Sequence, residues 1–133
     1  MMNVKEINTG SYFIYFGEDG YKCLTNWVKE RKYSKIFLLS DTHTHECCVY
    51  TFLQKFPFEV EIIEVEAGEE HKNLDTCLSL WQTLSDLGAD RKSLFINIGG
   101  GVITDMGGFV ASTFKRGIDF INLLWPLLEE KQE

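Results

Sequence analysis

The chain has 133 residues, 44% hydrophobic and 25% charged, which bounds it to one globular domain able to bury a core. A formal charge of -7 and a pI near 5.0 leave no basic field to recruit DNA, RNA or an anionic membrane. Cys23, Cys47, Cys48 and Cys77 have neither CxxC spacing nor the density of a disulfide-stapled domain. No signal-peptide pattern and no apolar run of membrane-spanning length is present, so the sequence reads as cytoplasmic.

Taken in order, "SYFIYFG" (Ser11 to Gly17) reads as a strand. Tyr21, Leu24, Trp27 and Val28 then recur at helical spacing up to "KERK". "KIFLLS" (Lys35 to Ser40) is a compact apolar run, suited to a strand covered on both faces, and "HECCVYTFLQKF" is expected to be helical. "FEVEIIEVEAG" (Phe58 to Gly68) predicts a strand leaving the core. "KNLDTCLSLWQTLSDLG" places Leu74, Cys77, Leu78, Trp81 and Leu84 on one helical face, with Gly88 as its stop. "SLFINIGGG" is a strand running into glycines; Met106, Phe109, Val110 and Thr113 then mark a helical face, and "IDFINLLW" a last strand.

Strand and helix alternating through short loops predict an α/β fold, with a Rossmann-like, mostly parallel sheet flanked by helices. Sites in such sheets lie beyond the carboxyl ends of the strands. Three polar or glycine-rich loops leave those ends, "SDTHTHE", "EAGEEHK" and "GGGVITD", so one ligand could touch all three.

The glycine loop fits neither common template. Thr104 stands at the third glycine position of G-x-G-x-x-G, and no Gly-Lys-Ser/Thr follows for a Walker loop. The physics of an anion cradle is nonetheless present: no Cβ where the strand ends, and a helix N-terminus pointing at the same place. Ligand binding is favoured over a plain turn. Thr104 is a candidate N-cap, which would put Asp105 in the first helical turn, where the helix dipole alone could account for a carboxylate. Gly107 and Gly108 fall inside the helix at about 1 kcal/mol each relative to alanine, a cost that points to close packing of strand or ligand on the helix.

The whole stretch "GGGVITDMGGFVASTFKRGIDFIN" resembles the 3-dehydroquinate synthase family, whose members carry GGGVxxDxxGFxAxxxxRG. "EAGEEHKNLDT" is similar to the family's P-x-G-E-x-x-K loop, and "LLSDTHTH" to its strand-end aspartate loop. The resemblance runs to about Asn122 and implies the family's N-terminal NAD-binding domain over residues 1–122, with residues 123–133 a divergent tail. It implies contacts of Asp41 and His43 with the adenosine side of NAD, and of Gly68, Glu69 and Lys72 with its ribose. Gly100, Gly101 and Val102 match the pyrophosphate loop. Asp105 matches an aspartate beside nicotinamide and substrate, and Arg116 an arginine that reaches the substrate phosphate. Read without the resemblance, Arg116 is equally a cation at a helix C-terminus.

In the family, NAD oxidises a secondary alcohol of the sugar-acid phosphate DAHP, phosphate is eliminated, the ketone is reduced back, and the ring closes. The family's zinc is held by a glutamate and two histidines of a C-terminal helical domain, and a homodimer is expected. That domain is absent from this sequence, and after "GIDFIN" the family's proline-threonine-threonine segment is replaced by "LLWPLLEEKQE". No turnover is therefore expected of the chain by itself. A sister sugar-phosphate cyclase and a non-catalytic nucleotide-binding or assembly module stand as alternatives. Iron-type alcohol or glycerol dehydrogenases rank lower, because "GGGVITD" has valine where that group has serine. "HTHECC" is read as loop histidines and buried cysteines rather than a metal site. The aromatics Trp27, Trp81 and Phe109 are read as core.

Overall fold

The computed structural model describes residues 4–8, 11–14, 18–44 and 49–123. His45, Cys47, Cys48 and nearly all of the expected tail lie outside the described residues. Among the described residues six strands form one sheet: β1 (Val4–Asn8), β2 (Ser11–Ile14), β3 (Ile36–Asp41), β4 (Glu61–Val65), β5 (Leu94–Ile98) and β6 (Asp119–Leu123). Their order is β1-β2-β6-β5-β3-β4, parallel throughout except for β1, which pairs antiparallel with β2. The expected mostly parallel sheet is what forms. β1 went unassigned in the sequence, where five residues with a single apolar doublet of spacing carry little period-2 signal. β6 ends at Leu123, within the last strand expected over "IDFINLLW".

The helices are α1 (Glu18–Arg31), the short α2 (Thr42–Thr44), α3 (Tyr50–Lys55), α4 (Leu74–Asp86) and α5 (Gly101–Thr113). Because side chains alternate along a strand, β3 and β5 feed two cores. Ile36, Leu38, Leu94, Ile96 and Ile98 meet Leu24 and Val28 of α1 and Phe52 of α3 on one face. Phe37, Leu39 and Phe95 meet Cys77, Leu80 and Leu84 of α4 and Ile103, Met106 and Val110 of α5 on the other. Each fully buried Leu, Ile or Phe contributes about 1.5–3 kcal/mol, and β5 is buried along its whole length.

Two expected helical faces need correction. On α4 the buried residues are Cys77, Leu80 and Leu84, with Trp81 partly covered, whereas Leu74 is 61% and Leu78 50% exposed. The stripe runs through positions 77, 80 and 84, because the helix meets the sheet and α5 on that side; Leu74 and Leu78 are rotated off it. On α5 the buried set is Ile103, Met106, Gly107, Val110 and Ala111, and Phe109 is 47% exposed, not core. The stop at Gly88 holds: its φ is +85°, and the Ala89 N-H returns to the Leu84 carbonyl at 2.9 Å. Trp81 packs as expected, its indole N-H donating to Thr113 Oγ1 at 2.9 Å and so joining α4 to α5.

Candidate functional site

The glycine loop closes β5. The Gly99 N-H donates to the Leu123 carbonyl at 3.3 Å, Gly100 is the N-cap, and Gly101 opens α5. The helix therefore begins four residues earlier than an N-cap at Thr104 would allow. Its first intrahelical bond runs from the Thr104 N-H to the Gly100 carbonyl at 3.1 Å. The Thr104 hydroxyl bonds back to the Gly100 and Gly101 carbonyls at 3.2 and 3.3 Å rather than capping the helix. Asp105 consequently stands in the second turn, and the dipole reading of its carboxylate loses its basis, since the effect fades within the first turn.

With no side-chain cap, the N-H groups of Gly101, Val102 and Ile103 have no partner within the helix. A Cβ added at Gly100 or at Gly101 would meet nothing within 4 Å, so the cradle opens onto free space. Three outward donors carrying about half a positive charge suit an anionic group.

The loop after β4 arrives from the side. Gly68 adopts φ +126°, and the 3-10 turn Glu69–His71 is held by His71 N-H to Gly68 O at 3.1 Å and Lys72 N-H to Glu69 O at 3.0 Å. Asn73 then caps α4, its Oδ1 accepting from the Thr76 N-H at 2.9 Å. This anchored turn sends the Lys72 ammonium to Asp105 Oδ2 at 3.1 Å and within 4.0 Å of Glu69 Oε2. The hydrogen bond to Asp105, and then that carboxylate's charge, hold the Lys72 pKa above its ordinary range. Three expected site residues from two loops thus converge. A small cavity of about 220 Å³ adjoins them, walled by Leu74, Cys77, Met106 and Phe109. Burial pushes the Cys77 thiol up, away from reactivity. A larger cavity, about 670 Å³, lies at the amino ends of β3 and β4, remote from these loops. Its size carries less weight than the converging donors and charges at the carboxyl ends.

The loop after β3 joins the second loop directly, the Ala67 N-H donating to Thr42 Oγ1 at 3.2 Å. Asp41 Oδ1 accepts from the Thr44 N-H at 2.6 Å, fixing the turn, and His43 is exposed beside it. Arg116 is not brought together with the others. It lies past the far end of α5, which runs on for eight residues or about 12 Å of helix axis beyond Asp105, in a turn where Lys115 and Arg116 have φ +46° and +74°. Thr42 and Asn73 went unremarked in the sequence. Asn73 was legible as an Asn before a helical run, but the Thr42 contact spans 25 residues and had no local signal. Among the described residues, no three of His, Cys, Asp and Glu group as a metal ion would require. No helix among them is long and apolar enough to cross a membrane.

An open, mostly parallel α/β sheet with a glycine loop leading into an uncapped helix N-terminus defines the class of Rossmann-like α/β domains. Residues 62–130 match the family model described as 3-dehydroquinate synthase N-terminal. The chain belongs to the 3-dehydroquinate synthase family. It is 43% identical over 107 residues to the 3-dehydroquinate synthase of Parabacteroides distasonis, covering 79% of this chain and 30% of that protein. It is 42% identical over 113 residues to the one from Campylobacter jejuni, covering 84% and 32%. The chain thus spans about a third of the length of these relatives. A solved 2-deoxy-scyllo-inosose synthase, complexed with carbaglucose-6-phosphate, NAD+ and Co2+, superposes with TM-score 0.73 at 26% identity, over 84% of this chain and 32% of that one.

Proposed function

We propose that this chain is the cytoplasmic, NAD-binding N-terminal portion of a 3-dehydroquinate synthase, an enzyme that converts DAHP to 3-dehydroquinate with loss of phosphate. The observation that carries this is the convergence of Lys72, Glu69 and Asp105 beside the open, uncapped amides that follow Gly100. A pyrophosphate fits there: the N-H groups of Gly101, Val102 and Ile103 are unspent, and no side chain fills the space. Asp41 and His43 flank the adenosine side, where the Thr42 contact with Ala67 holds the two loops together. Gly68, Glu69 and Lys72 stand at the ribose, and Asp105, which accepts from the Lys72 ammonium at 3.1 Å, stands beside the nicotinamide and the substrate. When bound, NAD supplies the hydride acceptor for the alcohol to be oxidised.

Lys72 offers a cation to an anionic group, and Asp105 orients that cation through their hydrogen bond. Arg116, in the turn after α5, is the arginine proposed to reach the substrate phosphate. The zinc of the family would be held by the glutamate and two histidines of the family's C-terminal helical domain.

Calorimetric titration of the 133-residue chain with NAD is expected to give saturable heat, reduced in Lys72→Ala. Neither heat nor a thermal shift at millimolar NAD would leave a purely structural module. A second reading, a sister sugar-phosphate cyclase, draws on the likeness to the inosose synthase. Phosphate release from DAHP rather than from a hexose 6-phosphate, with the C-terminal portion of the Parabacteroides relative supplied in trans, separates the two. The homodimer implied by the family is read by sedimentation of the same chain.

A further inference from the structure

Beneath α5 the sheet carries a buried pair of amides. Asn97 of β5 and Asn122 of β6 are register partners, and Asn97 Nδ2 donates to Asn122 Oδ1 at 3.0 Å. Both side chains are buried, yet Asn97 Oδ1 has no hydrogen-bond partner among the described residues. An unpaired buried carbonyl is costly, and its retention calls for a reason. What it faces is Gly107: a Cβ at that position would overlap the Asn97 amide, far inside contact distance. The hydrogen that takes the place of the Cβ points at the oxygen, a weak C-H···O contact. Next to it, a Cβ at Gly108 would stand 3.3 Å from the Phe120 ring. The two glycines therefore let α5 ride lower over β5 and β6 than a helix with a side chain at position 107 could.

The height of α5 matters because the helix carries both halves of the site. The amides at Gly101 begin it, and Asp105, two residues before Gly107, lies about 200° around the axis, on the side turned from the sheet. A rigid helix that rises off Asn97 moves the cradle and the Asp105 carboxylate together, away from Lys72 on its separately anchored turn. We propose that Asn97, Asn122 and Gly107 form a positioning device, a polar shelf and a matching gap that set the depth of α5 and thereby align the glycine cradle and Asp105 with Lys72. The proposal rests on the nucleotide reading above.

The test uses the 133-residue chain and three proteins: wild type, Gly107→Ala, and Gly107→Ala combined with Asn97→Ala, which removes the atoms the new methyl strikes. NAD affinity by calorimetry is expected to fall roughly tenfold in the single variant and to return to within about twofold of wild type in the double variant. Melting temperature is recorded separately. A lowered melting temperature with unchanged NAD affinity in Gly107→Ala means a merely structural role and overturns the proposal, as does a double variant that does not recover. Should Gly107→Ala fail to fold, the double variant must fold and bind; its failure overturns the proposal equally. If wild type itself gives no heat, the nucleotide reading falls alone. Alignment is then read from the Lys72 ammonium by NMR titration, whose pKa is expected to drop towards the ordinary value in Gly107→Ala and to be restored in the double variant. An unmoved Lys72 titration there overturns the proposal.

Discussion

At the scale of single residues, the pair formed by Lys72 and Asp105 is the testable centre. Lys72 titrates above its ordinary value of 10.5, chiefly through its hydrogen bond to Asp105. A raised folded-state pKa means that the pair's contribution is fully present below pH 10.5 and is lost as pH rises through the folded value. Asp105→Asn is therefore expected to lower the Lys72 pKa, read by NMR of its side chain, while leaving stability at neutral pH nearly unchanged, because both groups are exposed. An unchanged Lys72 titration would show that the contact does not persist in solution. Gly68 provides a second check. At φ +126° and ψ 145° a side chain is strained, and a Cβ would stand 2.7 Å from the Glu70 carboxylate. Gly68→Ala should cost about 1–3 kcal/mol by urea unfolding and disorder the approach of Lys72. The residue types at these positions were legible from the chain as it stands. Their contact was not, because Lys72 and Asp105 are 33 positions apart and only the fold sets them 3.1 Å apart.

At the scale of elements, α4 shows how a helical period can be right while its phase is wrong. The spacing of apolar residues predicted a helix ending at Gly88, and that helix forms. Leu74 and Leu78 fit the period as well as Leu80 does, and only contact with β3, β5 and α5 selects which stripe is buried. Leu84→Ala is expected to cost about 2–5 kcal/mol, against at most about 0.5 kcal/mol for Leu78→Ala; equal losses would restore the face expected from sequence. Asn73→Ala removes the α4 cap and should cost about 0.5–2 kcal/mol in the same assay. On α5 the Gly107 and Gly108 pair raised a choice between packing on a strand and packing on a ligand. Asn97 and Phe120 decide it in favour of the strands.

At the scale of the whole molecule, stability is expected to follow sheet position. β5 is fully buried between β6 and β3, whereas β4 is an edge strand with Glu61, Ile62 and Glu64 exposed. Native-state hydrogen exchange should find the amides of Phe95 to Asn97 among the slowest and those of β4 markedly faster; uniform protection would contradict the strand order. Saturating NAD at one hundred times its Kd should add about 2.7 kcal/mol, and the protection it adds should gather in the loops after β3, β4 and β5.

The linear order of residues by itself determined the alternation of strand and helix, the parallel character of the sheet, and the family to which the glycine stretch belongs. Each of these is written in local periodicity or in a contiguous motif. Only the tertiary structure decided that β6 lies between β2 and β5, that α5 begins at Gly101, and that Lys72 reaches Asp105. These depend on how separate segments come together across the sheet. A contact between distant positions leaves no periodic trace in the chain, because it is set by the packing of whole elements rather than by the spacing of neighbours.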